Sequence, residues 1–179
     1  MAKVPAAAQR VHIDHLLTRE GADSMRLIGS VLFCHLMLEQ VLYELLAHAA
    51  AQDGQSITAP ENIVFADKVR RGRTSLISVE GTRQPILTDE MADGLLALNN
   101  LRISLAHTYG ASPAFEAVHG IASAFEKAGV DFTDDMASGP DRARECGYDA
   151  TTLVEETTRH VFLHLAAILF VAGGPDFAA

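Results

Sequence analysis

The chain has 179 residues, of which 23 are acidic and 14 are Lys or Arg, and its formal net charge is -9. This charge argues against a protein that coats nucleic acid through a broad basic surface. With 49% apolar residues, 6% aromatic residues and no Trp, aliphatic side chains must fill the interior, which favours packed helices over a β-sandwich. The length predicts one domain, residues 1–179.

The cysteines and the apolar segments predict a cytoplasmic protein that does not enter a membrane. Cys34 and Cys146 are far apart in the sequence and neither belongs to a C-x-x-C motif, so a reducing compartment is expected. Residues 1–10 contain no apolar segment of signal-peptide length. The apolar stretch 161–172 is interrupted by His164 and is too short to span a bilayer.

The N-terminal third of the sequence predicts two helices separated by a glycine. The first covers residues 6–18, and Gly21 with the following Asp23 and Ser24 supplies a break and a cap. A long amphipathic helix is expected over residues 24–52, because its core-facing residues recur at steps of three and four. They are Ile28, Val31, Leu32, His35, Leu38, Leu42, Leu45 and Ala49.

The middle of the sequence predicts a short helix, an undecided segment and a long helix. Asn62 opens the short amphipathic piece. Ile77 and Val79 fit either an extended connection or a small helix. The hydroxyl of Thr88, followed by two carboxylates, marks the start of a helix that runs to about residue 109.

The C-terminal third predicts two further helices joined by an acidic loop. The helices cover about residues 114–128 and 151–171, and the loop covers residues 130–147, where apolar residues are few. The expected fold is therefore an all-α, up-and-down bundle of five or six helices with its core in about residues 24–128.

The clearest chemical signal is an arginine and a histidine, Arg102 and His107, near the end of the helix that starts at Thr88. A fixed cation and a group that titrates near neutral pH can together cleave a phosphodiester without a metal. Five residues correspond to roughly 140° around an α-helix, so the two side chains do not share a face. They can converge if the helix loosens near Gly110, or if a two-fold axis brings in a second copy.

These residues resemble the HEPN superfamily of helical-bundle domains. The resemblance rests on Phe65-Ala66-Asp67-Lys68 followed, after a polar break, by Leu98-Asn99-Asn100-Leu101-Arg102 and Ala106-His107, and it covers about residues 24–128. It implies a metal-independent endoribonuclease of the toxin or defence type, dimeric, without a cofactor, and with Arg102 and His107 as catalytic residues. Many members have a polar residue directly after the arginine, where this chain has Ile103.

On this interpretation His107 exchanges a proton with the ribose 2′-hydroxyl or the leaving 5′-oxygen, and Arg102 stabilises the charge that develops on the phosphate. The reaction needs RNA, because DNA lacks the internal nucleophile. Asn100 and Ser104 are candidates for orienting the imidazole ring or the phosphate. An RNA substrate, a second copy of the chain and a protein partner such as an antitoxin are the expected partners.

A non-catalytic interpretation uses the same residues. His107 then lies at a helix C-terminus, where the helix dipole favours a cation. Arg102 then pairs with a carboxylate inside the bundle, for which Glu39 is a candidate. The chain would then be a regulatory or protein-interaction module of the same fold.

A basic segment lies between the two parts of the motif. Lys68, Arg70, Arg71 and Arg73 follow one another closely, and together they are candidates for RNA binding. A solvated helix end is the alternative.

A third hypothesis is a metal-binding bundle. Glu156, His160 and His164 are spaced by four and share one stripe of the last helix. Three ligands on one helix are too few, so His35, Glu39 or His119 would have to complete the site.

Overall fold

The computed structural model describes residues 18–56, 63–107, 113–132 and 135–177, and within them the chain forms an all-α bundle, as predicted. Most of the predicted helix over residues 6–18 lies outside the described residues. The elements are α1 (Arg19–Gln52), α2 (Phe65–Thr74), β1 (Leu76–Val79), β2 (Thr82–Pro85), α3 (Asp89–His107), α4 (Phe115–Lys127), a 3-10 turn (Asp135–Ala137), α5 (Pro140–Glu145) and α6 (Ala150–Val171).

The long helix α1 supplies the centre of the core. It starts earlier than predicted, because the hydroxyl of Thr18 accepts a hydrogen bond from the backbone N–H of Gly21 and caps the helix. The expected break at Gly21 is therefore wrong, and the helix continues through it. Leu38, Leu42 and Leu45 are fully buried, as the predicted apolar stripe requires, whereas Leu32 of the same stripe is 39% exposed.

Contacts along α1 show the direction of its neighbours. The hydroxyl of Ser30 donates to Glu155 and the ring of His48 bonds to the carbonyl of Ala172, so α6 runs parallel to α1. Helix α2 is also parallel to α1, because Lys68 contacts Glu39 while a Cβ at Gly72 would touch Leu42.

Helix α3 runs antiparallel to α1 and α2. Arg73, at the end of α2, pairs with Asp89 and Asp93 at the start of α3, and Asn99 further along α3 reaches His35 on α1. The C-terminal end of α3 therefore lies beside the N-terminal half of α1.

The segment that the sequence left undecided is a β-hairpin. Strands β1 and β2 pair antiparallel, and Glu80 and Gly81 form the two-residue turn with φ of 50° and 80°. The side chain of Gln52 accepts from the backbone N–H of Ser78 and donates to its carbonyl. These bonds fasten the hairpin to the C-terminal end of α1.

The acidic segment 130–147 is more ordered than a loop, which corrects the prediction. It contains the 3-10 turn and α5, and it places Met136 and Ala143 in fully buried positions. Arg142 forms ion pairs with Asp135 and Glu145. Some of the carboxylates that suggested a solvated loop therefore stabilise short helices. A helix of six residues is too short for its apolar periodicity to be recognised in the sequence.

One described stretch, Gly21–Gln52, is long and apolar enough to cross a membrane by length and composition. Residues 161–172 were identified from the sequence as the longest apolar stretch, and Gly21–Gln52 was not identified as a candidate span. A buried core helix passes the same test, and Leu38, Val41 and Leu42 of this stretch are 0% exposed.

A glycine at the α3–α4 contact allows the two helices to approach closely. A Cβ on Gly94 would lie 2.7 Å from Cε1 of Phe125, a fully buried ring. We therefore expect Gly94→Ala to lower the free energy of unfolding by about 1–3 kcal/mol despite the better helix propensity of Ala. Urea denaturation measures this change.

Gly120→Ala is the matched control, because Gly120 is exposed in α4 and a Cβ there would meet nothing within 4 Å. It should raise the free energy of unfolding by up to about 1 kcal/mol. Equal effects of the two substitutions would contradict the close contact at Gly94.

Candidate functional site

Five polar side chains meet where α1, α2 and α3 pack together, and we refer to them as the polar cluster. α1 contributes two residues spaced by four, α2 contributes one, and α3 contributes two spaced by three, so each pair shares one face of its helix. The members are His35, Glu39, Lys68, Asn99 and Arg102.

A charged hydrogen bond connects α1 and α2 within the polar cluster. Nζ of Lys68 donates to Oε1 of Glu39 at 2.7 Å. Lys68 is only 5% exposed, so its ammonium group depends on this carboxylate for its counter-charge. The Glu39 side chain is 26% exposed and retains contact with water.

His35 connects α1 to α3. Its Nε2 lies 3.1 Å from Oδ1 of Asn99, its Nδ1 lies 3.9 Å from Oε2 of Glu39, and its ring packs 4.2 Å from the Phe65 ring, centroid to centroid. Burial lowers the pKa of His35 below its ordinary value, and nearby Arg102 and Lys68 act in the same direction. The bond to Asn99 and the charge of Glu39 oppose this shift.

Arg102 brings a positive charge that no carboxylate in the described residues pairs with. Its Nε is buried and has no hydrogen-bond partner there. Glu39 forms its ion pair with Lys68, so the expected Arg102–Glu39 pair is not formed. The reason is that α2 runs along α1 and places Lys68 against this carboxylate.

The charges of the polar cluster do not balance. Lys68 and Arg102 carry two positive charges against the single negative charge of Glu39, and burial favours the neutral form of His35. An anion that reaches Arg102 would complete the hydrogen bonding of a guanidinium that is partly withdrawn from water.

His107 does not share the surroundings of Arg102 within one chain. It is the last residue of α3 and is exposed, whereas Arg102 is half-buried against the polar cluster. This agrees with the angular offset expected from their spacing. The convergence of the two groups across a two-fold axis therefore stays a prediction.

The supporting residues of α3 are distributed differently from the prediction. Asn100 and Ser104 are exposed, while Asn99, one position earlier, bonds to His35. Sequence reasoning missed Asn99 and the role of His35. The i, i+3 spacing of Asn99 and Arg102 was the signal that could have identified the buried polar face.

The basic residues of α2 lie in different surroundings, and their role in RNA binding stays a prediction. Lys68 enters the polar cluster, Arg70 pairs with Asp67, and Arg73 pairs with Asp89 and Asp93 on α3. Arg71 lines a separate groove beside the C-terminal half of α1. Consecutive residues point to different sides of a helix, so closeness in sequence did not produce closeness in space.

The predicted metal ligands on α6 are not assembled with further ligands. Nε2 of His160 lies 4.0 Å from Glu156, and the His160 ring packs on Phe132. Burial lowers the pKa of His164. Over the ranges that the structure describes, no three His, Cys, Asp or Glu side chains are grouped so that they could hold a metal ion.

No family model, no curated protein and no solved structure matches this chain. The polar cluster and the surfaces beside it are therefore the features that bear on function.

The dependence of Lys68 on Glu39 is testable. Glu39→Gln should lower the free energy of unfolding by about 1–3 kcal/mol, because it leaves a buried ammonium group without a counter-charge. Lys68→Met should cost less, since the remaining carboxylate is partly exposed and stays hydrated. Urea denaturation at pH 7 compares the two variants, and a larger cost for Lys68→Met would contradict this account.

The lowered pKa of His35 predicts a pH dependence of stability. Below about pH 6.5 the unfolded chain binds a proton at His35 while the folded chain does not. The free energy of unfolding should therefore fall as the pH decreases through this range, by at most about 1.4 kcal/mol per pH unit for this one group.

His35→Gln removes the titrating group and retains a donor for Asn99. The fall in the free energy of unfolding between pH 7.5 and 5.5 should be smaller in this variant than in the wild type. An identical fall in both proteins would show that His35 is not responsible.

Proposed function

We propose that this protein is a HEPN-like, metal-independent endoribonuclease that acts as a homodimer. The observation that carries the proposal is the guanidinium of Arg102, which has a buried, unpartnered Nε and no paired carboxylate in the described residues. The planar guanidinium of an arginine can bind a phosphate through two parallel N–H donors. Because the whole chain has a net charge of -9, an RNA strand is attracted only where positive charge is concentrated locally, as at Arg102.

The chemistry follows from the two groups of the motif. The ribose 2′-oxygen attacks the adjacent phosphorus and loses its proton, and the bond from phosphorus to the 5′-oxygen breaks as that oxygen gains a proton. In this proposal His107, which is exposed at the end of α3, exchanges these protons with the substrate. Arg102 stabilises the negative charge on the phosphate oxygens.

An exposed apolar face supports the homodimer. Met25, Leu32, Phe33 and Leu36 of α1 are each at least 39% exposed, and contiguous exposed apolar side chains are typical of interfaces. Because α3 is antiparallel to α1, this face lies level with the C-terminal end of α3. A second copy bound here by two-fold symmetry would bring its own His107 towards Arg102.

A non-catalytic HEPN-like module is the second candidate, and the buried bonds of the polar cluster favour it. The Glu39–Lys68 and His35–Asn99 contacts tie three helices together, which is a structural role that needs no substrate. In that case the exposed apolar face of α1 would serve a protein partner such as an antitoxin. For both candidates we propose a cytoplasmic location.

The nuclease proposal predicts cleavage of RNA in EDTA. His107→Ala should reduce the cleavage rate about 10²–10⁴-fold and Arg102→Ala about 10²–10³-fold, as loss of a proton-transfer group and of an electrostatic stabiliser do. His164→Ala, which changes a half-buried histidine on α6, is the control and should retain activity. Undiminished cleavage by His107→Ala, or no cleavage by the wild type, would exclude this mechanism.

The dimer proposal is tested by charge insertion. Phe33→Glu, at a side chain that is 64% exposed, should convert the dimer to a monomer and abolish cleavage, because an interface cannot bury an unpaired carboxylate cheaply. Phe170→Glu, at a side chain that is 56% exposed on α6, should leave the dimer intact. Analytical ultracentrifugation distinguishes the two, and a monomeric wild-type protein at micromolar concentration would refute the proposal.

A further inference from the structure

His35 has a ring nitrogen that its bond to Asn99 does not use. Nε2 of the ring lies 3.1 Å from Oδ1 of Asn99, and this oxygen can only accept, so Nε2 carries a hydrogen and donates it. In the neutral ring Nδ1 is then the basic nitrogen. It lies 3.9 Å from Oε2 of Glu39. A second proton on His35 would therefore be held between the ring and a carboxylate.

Glu39 can serve His35 and Lys68 at the same time, because its two oxygens face different partners. Oε1 accepts from Nζ of Lys68 at 2.7 Å, whereas Oε2 faces Nδ1 of His35. The structure thus provides an acceptor for a proton on Nδ1 without breaking the buried bond to Lys68.

Burial and neighbouring charges oppose that second proton. His35 is 5% exposed, and the charged groups that face it are Glu39 of α1, Lys68 of α2 and Arg102 of α3. Burial and the two cations lower the pKa of His35 below its ordinary value. With the ring protonated, these side chains would carry three positive charges against the single negative charge of Glu39. The ring is therefore neutral at pH 7 while no anion lies on Arg102.

An anion on Arg102 would change this balance. It would offset the charge of the guanidinium, which is one of the charges that disfavour the ring proton. The proton and the anion would then favour each other. Because such coupling is reciprocal, an anion that promotes protonation of His35 is itself bound more tightly when the ring is protonated.

We propose that the polar cluster is a proton-linked anion site, in which binding of an RNA phosphate to Arg102 is accompanied by protonation of His35 at Nδ1. This inference rests on the anion site of the proposed function and adds a regulation to it. The site binds phosphate more tightly as the pH falls, although His35 is buried and does not touch the ligand.

The test is an NMR pH titration of the ¹⁵N-labelled protein between pH 8 and 5, followed at the imidazole nitrogens. Sodium sulfate is compared with sodium chloride at equal ionic strength, since sulfate keeps its charge throughout this range. The pH at which Nδ1 of His35 is half protonated should be higher in sulfate by about 0.5–1, which corresponds to about three- to tenfold tighter sulfate binding by the protonated form. His48, which bonds to the carbonyl of Ala172 near the opposite end of α1, should titrate alike in both salts.

Two variants locate the bound anion. Arg102→Gln should abolish the effect of sulfate on His35, because it removes the guanidinium that holds the anion. Arg70→Gln is the matched control, since it removes the same charge from an exposed side chain that pairs with Asp67 outside the polar cluster. It should retain the effect, and circular dichroism checks the fold of both variants. An equal response in Arg102→Gln and the wild type, or no response in the wild type, would overturn the proposal.

A 2′-O-methyl RNA dinucleotide tests RNA itself, and it is not cleaved because its attacking oxygen is methylated. It should raise the same half-protonation pH as sulfate does. A response to sulfate alone would assign the site to free anions and refute its role with RNA.

The outcomes separate this inference from the proposed nuclease. Titration of His35 that depends on the dinucleotide and on Arg102, together with no cleavage of unmodified RNA, would support the inference and refute the nuclease. Cleavage that depends on Arg102 and His107, with His35 titrating alike in both salts, would support the nuclease and refute the inference.

Discussion

The ion pair between Lys68 and Glu39 fixes the junction of three helices on which the candidate site depends. Burying an ammonium group is costly unless a carboxylate lies against it, so α2 must meet α1 in the one alignment that brings the two together. This alignment places Phe65 on the ring of His35. His35 in turn holds Asn99, one helical turn before Arg102. The orientation of Arg102 is therefore a consequence of contacts made by its neighbours.

Much of the fold could be predicted from the sequence, because local signals and the final packing agree. The helix start at Thr88 is confirmed, since its hydroxyl accepts from the N–H of Met91. The last helix was predicted within one residue of its start and is capped by Asp149 and Thr152. Gly21 misled the prediction, because the cap of Thr18 allows α1 to continue through a residue that lowers helix propensity. The short helices of 130–147 depend on ion pairs and tertiary burial, which periodicity does not report.

The sequence predicted which residues belong to the candidate site better than it predicted which of their side chains pair with one another. Arg102, Glu39 and Lys68 were all singled out, yet the carboxylate pairs with Lys68 and leaves Arg102 without it. Which of two cations meets one anion depends on the relative direction of the helices, and sequence spacing within a helix does not contain that information. The separation of Lys68, Arg70, Arg71 and Arg73 has a different origin, because residues that are close in sequence point to different sides of one helix.

The parallel arrangement of α1 and α6 affects the electrostatic potential at one end of the bundle. Both helices begin at the end of the bundle where α3 finishes, so the partial positive charges of two N-termini lie on the same side of the molecule. Such a terminus favours a nearby anion by about 0.3–1 kcal/mol. At α6 that anion is the chain's own Asp149, whose carboxylate accepts from the N–H of Thr152, whereas α1 begins with the neutral hydroxyl of Thr18. The remaining attraction for negative charge therefore belongs to the start of α1, at the end of the bundle that carries Arg102 and His107.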